Sequence, residues 1–191
     1  VVRTGSWIGG DHDGNPYVTG ETLTYATRTA ADTVLEYYVD QLGLLEKELS
    51  ISDRYSESSA ELQELAARGN NDVPSRVDEP YRRAIHGVLG RMTATRASIA
   101  GDSVNDAAQD EVNEFAPYSS PAEFKAELDI IDRSLRQFND AIIADDRLLR
   151  IRSALDSFGF HLNSLDLRQN SESFEAVLDE QKLTLRDVMN F

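Results

Sequence analysis

Hydrophobic positions along this chain change period more than once. From Glu21 to about Ser50, residues Leu23, Thr27, Ala30, Val34, Tyr38, Leu42, Leu45 and Leu49 step by three or four. That spacing predicts one long amphipathic helix, weakened locally by Gly43. A shorter helix is predicted over Ser59 to Arg68, with Leu62 and Leu65 inward and Gly69-Asn70-Asn71 ending it. After a loop around Pro74, a third helix is expected from Pro80 to Ala100, burying Tyr81, Ile85, Val88, Leu89, Met92 and Ile99. Ser120-Pro121-Ala122-Glu123 reads as a helix start: Ser120 caps, Pro121 suits the first helical position, and Glu123 closes a capping box. This helix should reach about Asn139 and bury Phe124, Leu128, Ile131, Leu135 and Phe138. Another is expected from Asp145 to Phe158, stopped by Gly159, and a last one from Ser171 to Gln181 with Phe174, Val177 and Leu178 inward.

The two ends follow different patterns. Val1 to Gly10 carries β-formers and then glycines, and Asp11 to Pro16 is dense in turn residues. Phe160 to Arg168 alternates with a period near two: Phe160, Leu162, Ser164, Asp166 and Arg168 face one way, His161, Asn163, Leu165 and Leu167 the other. Both faces carry apolar residues, so the strand is expected to be buried on both sides. The fold expected is therefore mainly α, with short strands near residues 3–9 and 160–168. Two strands do not make a self-sufficient sheet. Either they pair with each other, or their neighbours lie outside this chain. Residues 101–119 hold five carboxylates and no base, which predicts a solvated connector.

Composition narrows the function. The chain has 191 residues, 40% of them hydrophobic, enough for a real core. Nineteen Lys and Arg against 34 Asp and Glu give a net charge of −15. Nucleic acid and anionic lipid are poor main partners for such a surface, although a local cationic pocket is still compatible with it. With no cysteine there is no disulfide and no thiolate metal site. No apolar run approaches the roughly 20 residues of a membrane span. A cytoplasmic setting is the expectation. The chain opens at Val1-Val2-Arg3 without an initiator Met and runs straight into a motif, as an internal piece of a longer protein would.

Two stretches carry candidate chemistry. In Gly5-Ser6-Trp7-Ile8-Gly9-Gly10-Asp11-His12-Asp13-Gly14-Asn15-Pro16, a calcium loop fails because Pro16 and Thr22 stand where Gly and Glu are required. The Gly-Lys-Ser/Thr ending of a phosphate loop is absent. A Gly-rich turn is the bland reading. Trp7, the only tryptophan, reads either as a core residue, the commoner role of a lone Trp, or, beside close-approach backbone, as an apolar pocket wall. In Leu165-Asp166-Leu167-Arg168-Gln169-Asn170-Ser171, Asp166 and Arg168 share a strand face and could simply pair. An arginine at a strand end is equally suited to hold carboxylate or phosphate, because its planar fork donates two parallel hydrogen bonds. His12, His86 and His161 show no zinc-ligand spacing. Asp145-Asp146 reads as a helix start rather than a metal pair.

Together the two stretches resemble one family. The first is similar to the SW(M/I)GGDRDGNPxVT signature of phosphoenolpyruvate carboxylase, and Leu165-Asp166-Leu167-Arg168-Gln169-x-Ser171 to its LD(I/V/L)RQxS segment. The resemblance implies an interior stretch covering roughly a fifth of a family member, with a helical segment of a β/α barrel. It implies a homotetrameric enzyme that converts phosphoenolpyruvate and bicarbonate to oxaloacetate and phosphate with Mg²⁺ or Mn²⁺, whose ligands would lie outside these residues. By the family pattern Arg168 is the catalytic and substrate-binding arginine, and Trp7 lines the hydrophobic pocket at the substrate methylene. Gly9, Gly10, Asp11, Asp13 and Asn15 shape the loop that holds Trp7. Two positions depart from the pattern: His12 stands where Arg is usual and Asn170 where Glu is common. With most of the catalytic set outside the chain, these residues alone are expected to be inactive. The competing reading is a non-enzymatic acidic helical interaction module, for which a self-contained core, with the terminal strands paired to each other or not formed, would be expected.

Overall fold

The computed structural model describes residues 4–71, 73–101, 115–168 and 170. Their order is β1 (Gly5–Ser6), α1 (Gly20–Glu48), α2 (Ala60–Ala67), a 3-10 turn (Pro74–Arg76), α3 (Pro80–Ala100), α4 (Pro121–Gln137), α5 (Ala141–Ile143), a π turn (Ala144–Leu148), α6 (Leu149–Phe158) and β2 (Ser164–Leu165). The predicted helix over 171–181 and most of the acidic connector lie outside the described residues.

Local chemistry sets the helix starts. Thr19 caps α1: its hydroxyl accepts from the Thr22 N–H while the Thr22 side chain returns to the Thr19 backbone. The helix passes through Gly43, because Leu42 and Leu45 on either side are fully buried and packing outweighs the glycine cost of about 1 kcal/mol. Ser120 caps α4 and Pro121 takes its first position, as expected. Glu123 does not close the capping box. It accepts instead from the N–H and hydroxyl of Ser119 (2.9 Å each) and pairs with Arg91, so a cation across the core outcompetes the local bond.

The helices enclose one core. Tyr38, Leu42, Leu45 and Leu49 of the α1 stripe meet Tyr81, Ile85, Val88 and Met92 of α3, with Leu62 and Leu65, Leu128 and Ile131, and Ile151 closing the sides. Phe124 sits at the centre. Its ring lies 5.7 Å from Tyr38, 5.2 Å from Tyr118 and 6.3 Å from Phe160. Aromatic pairs at such spacing add about 0.5–1.5 kcal/mol each beyond area burial.

Four further expectations need correction. The helix predicted from Asp145 begins at Ala141 and passes through a π turn. Asp146 there is non-helical (φ −102°, ψ −115°), so the apolar period alone gave the wrong start. The acidic connector is not solvated at its end: Tyr118 is buried and donates to Glu127 at 2.5 Å, because its ring completes the Phe124 cluster. The strand over 160–168 is not buried on both faces. Only Ser164–Leu165 is regular, and Leu167 is 67% exposed. Likewise β1 covers two residues rather than 3–9. The two short strands pair with each other in parallel, Gly5 with Ser164 and Ser6 with Leu165.

Candidate functional site

The site is built where the two terminal stretches meet. Ser164 N–H donates to Thr4 C=O (3.0 Å) and Asp166 N–H to Ser6 C=O (2.8 Å). The ladder then skips across the glycine turn. Arg168 N–H donates to Gly10 C=O and His12 N–H to Arg168 C=O, both at 2.9 Å, so the loop grips the arginine backbone on both sides. Asp11 and Arg168 form an isolated parallel bridge at that point.

Two glycines make this geometry possible. A Cβ on Gly10 would lie 2.6 Å from the Asp166 carbonyl oxygen, so only glycine lets the turn reach β2. Gly9 has φ +83°, and a Cβ there would lie 2.5 Å from the Ala26 Cβ on α1. The turn is thus wedged between β2 and α1. Its carbonyl at Trp7 accepts from both Gly10 N–H (2.9 Å) and Asp11 N–H (3.0 Å). Asn15 closes the following bend, its Oδ1 accepting from Tyr17 N–H at 3.0 Å. Asp13 lies in the same bend with φ +20° and is exposed. The Asp11 Oδ1 and His12 Nδ1 atoms are buried without a hydrogen-bond partner.

These contacts bring Trp7 and Arg168, 161 positions apart, into one unit. The Arg168 guanidinium lies over the Trp7 ring, 5.1 Å from its centroid. Stacking of this kind is worth about 0.5–1 kcal/mol when exposed. Trp7 is 56% exposed and Arg168 is exposed as well. Asp166 does not take the guanidinium: among the described residues no carboxylate forms an ion pair with Arg168, whereas most arginines of the helical body hold Asp or Glu. A cation left open above an indole face is chemically equipped to receive an anionic group with an apolar part.

Sequence reasoning located Trp7, Gly9, Gly10, Asp11, Asp13, Asn15 and Arg168 in the two stretches; Ala26 and Thr4 it missed. Ala26 sits mid-helix in an ordinary stripe, and only the turn folding back on α1 reveals it. Among the described residues no three of His, Asp or Glu gather in a metal-holding group. Nor is any described helix long and apolar enough to cross a membrane.

Arg168 thus lies just past two short parallel strands, its backbone held by a glycine turn. Comparison of sequences gives the family. The sequence model for phosphoenolpyruvate carboxylase matches residues 1–190. A phosphoenolpyruvate carboxylase of Corynebacterium efficiens is 60% identical over all 191 residues, and that of Nocardia farcinica 46% over 94% of the chain. That of Rhodopseudomonas palustris is 44% identical over 94%. The chain belongs to the phosphoenolpyruvate carboxylase family. It spans about a fifth of the length of these relatives: 21%, 19% and 19%.

Proposed function

We propose that this chain is part of a phosphoenolpyruvate carboxylase and contributes Trp7 and Arg168 to its substrate pocket. The Arg168 guanidinium over the Trp7 ring is the observation that carries this reading. The substrate class is an enol phosphate with a carboxylate. Arg168 supplies a two-pronged donor where negative charge accumulates, and one such donor is worth about 2.7–4 kcal/mol in the transition state. Trp7 offers the apolar face that keeps water from a carbanionic carbon. Gly9, Gly10, Asp11, Asp13 and Asn15 hold the loop in place. Bicarbonate is the second substrate and oxaloacetate and phosphate the products.

The remaining parts of the proposal lie outside these residues. The metal ligands and the other anion-binding groups belong to the rest of the polypeptide, as do the further strands of a β/α barrel beside β1 and β2. A homotetramer in the cytoplasm is the assembly proposed for the whole enzyme. The chain by itself is inactive on this reading.

A self-contained core and mutual strand pairing would also suit an acidic interaction module. The family match over residues 1–190 favours the enzyme. The test is a segment exchange. Residues 1–191 replace the 60%-identical stretch of the Corynebacterium efficiens enzyme, and oxaloacetate formation is followed with phosphoenolpyruvate, bicarbonate and Mg²⁺. The exchanged enzyme should turn over, and the isolated chain should not. An inactive but folded, correctly assembled exchange enzyme, or turnover by the isolated chain, would contradict the proposal.

A further inference from the structure

We propose that Leu162 is a positioning residue for Arg168, acting through the joint between the helical body and β2. The inference rests on the reading of Trp7 and Arg168 as one unit and extends it to a residue where the chain enters β2.

Leu162 has φ +66°. Left-handed backbone costs an ordinary L-residue about 1–2 kcal/mol, and for a bulky one it is a genuine outlier. Such a conformation persists only where the surroundings over-determine it. Three contacts do so here. Leu162 N–H donates to Phe158 C=O at 3.0 Å. Its C=O accepts from the Thr4 hydroxyl at 3.1 Å. Its side chain packs against the helical core. One residue is thereby tied to α6, to Thr4 just before β1 and to the body.

A glycine would take this conformation without strain. The same joint uses one three positions earlier, where Gly159 has φ +55° and a Cβ would meet nothing within 4 Å. Tyr38 fixes that point from α1, its hydroxyl donating to Gly159 C=O at 2.9 Å. At 162 the chain keeps a leucine and accepts the strain, so the side chain is the reason. It anchors the joint in the core at the place where the backbone turns into β2. From there the backbone of Ser164, Asp166 and Arg168 bonds in turn to Thr4, Ser6 and Gly10, and a rotated joint would disturb all three contacts. The side chain also lines a groove of about 620 Å³ between α1 and the strands, so it is packed on one side only. Its core contact, rather than enclosure, must hold it.

Trp7 is the only tryptophan, so its fluorescence reports on the unit directly. In the 191-residue chain, quenching by iodide is compared with quenching by neutral acrylamide at constant ionic strength. Arg168 concentrates the anion near the indole, so Arg168→Gln should lower the iodide-to-acrylamide ratio by about twofold. Leu162→Gly should lower it by a similar factor, while Leu162→Met keeps it. Thr4→Val, which leaves the core intact, should lower it with an unchanged melting temperature, and it carries the test if Leu162→Gly does not fold. A normal ratio in folded Leu162→Gly and in Thr4→Val, with Arg168→Gln lowered, would overturn the role of Leu162 and spare the pair. A normal ratio in Arg168→Gln would overturn both.

Discussion

The helical body and the strand end of this molecule are made on opposite terms. In the body, Leu35, Tyr38, Leu42, Tyr81, Phe124 and Ile131 are fully buried, and nearly every arginine has its carboxylate. At the strand end, two residues per strand are paired, Trp7, Ile8 and Leu167 stand more than half exposed, and the arginine is open. The body is complete in itself. The strand end gathers glycines, a strained leucine and an arginine with no carboxylate partner among the described residues on a small patch. The proposed site thus sits where the described residues bury least, beside a well-packed helical body.

Removing the centre of the body should separate the two regions most sharply. Phe124→Ala deletes a ring packed on three others, and large-to-small changes of this kind cost about 3–5 kcal/mol. The urea midpoint should fall accordingly, while Trp7 emission below the transition stays as in the parent. A shift of that emission in the folded variant would show that the regions are not independent.

The converse change is smaller in stability and larger in the site. Gly10→Ala drives a methyl into the Asp166 carbonyl, an overpacking worth about 1–3 kcal/mol. Its effect should appear first in Trp7 emission and in the iodide ratio, with the helical circular dichroism retained. Unchanged Trp7 signals would mean that the turn has another way to meet β2.

The smallest effect expected is electrostatic and belongs to the body. Hydrogen bonds from Arg91, then from the Ser119 N–H and hydroxyl, hold the Glu123 carboxyl down from 4.5 to about 2. A lowered folded pKa contributes stability above the unfolded value and loses it as pH falls through the folded one. That contribution should therefore drain between about pH 4.5 and 2. Because the side chain is 39% exposed, it is discounted to about 0.5 kcal/mol. Glu123→Gln should flatten the acid limb of the stability profile by that amount and leave Trp7 unaffected.

The same contrast explains what the sequence made legible. The helices of the body follow from period and capping residues, and α1 to α4 appear where Leu42, Leu62, Val88 and Leu128 predict them. The π turn at Asp146 was hidden because it leaves the apolar spacing of Leu148, Ile151 and Leu155 intact. Tyr118 was hidden among carboxylates. At the strand end the motif residues were readable as motifs, but their meeting was not: the contact of Trp7 with Arg168 depends on Gly10 fitting under a carbonyl. Alternation over 160–168 suggested a long buried strand, whereas the left-handed turn at Leu162 precedes a regular strand of only two residues. A leucine with positive φ has no sequence signature.

The central claim is that the open guanidinium on the Trp7 ring serves an anionic substrate. Its most direct test is kcat/KM for phosphoenolpyruvate in the segment-exchanged carboxylase, with and without Arg168→Ala. Loss of one such donor should lower the value about 10²–10³-fold, with assembly and melting temperature retained. A variant within a few-fold of its parent would contradict the claim.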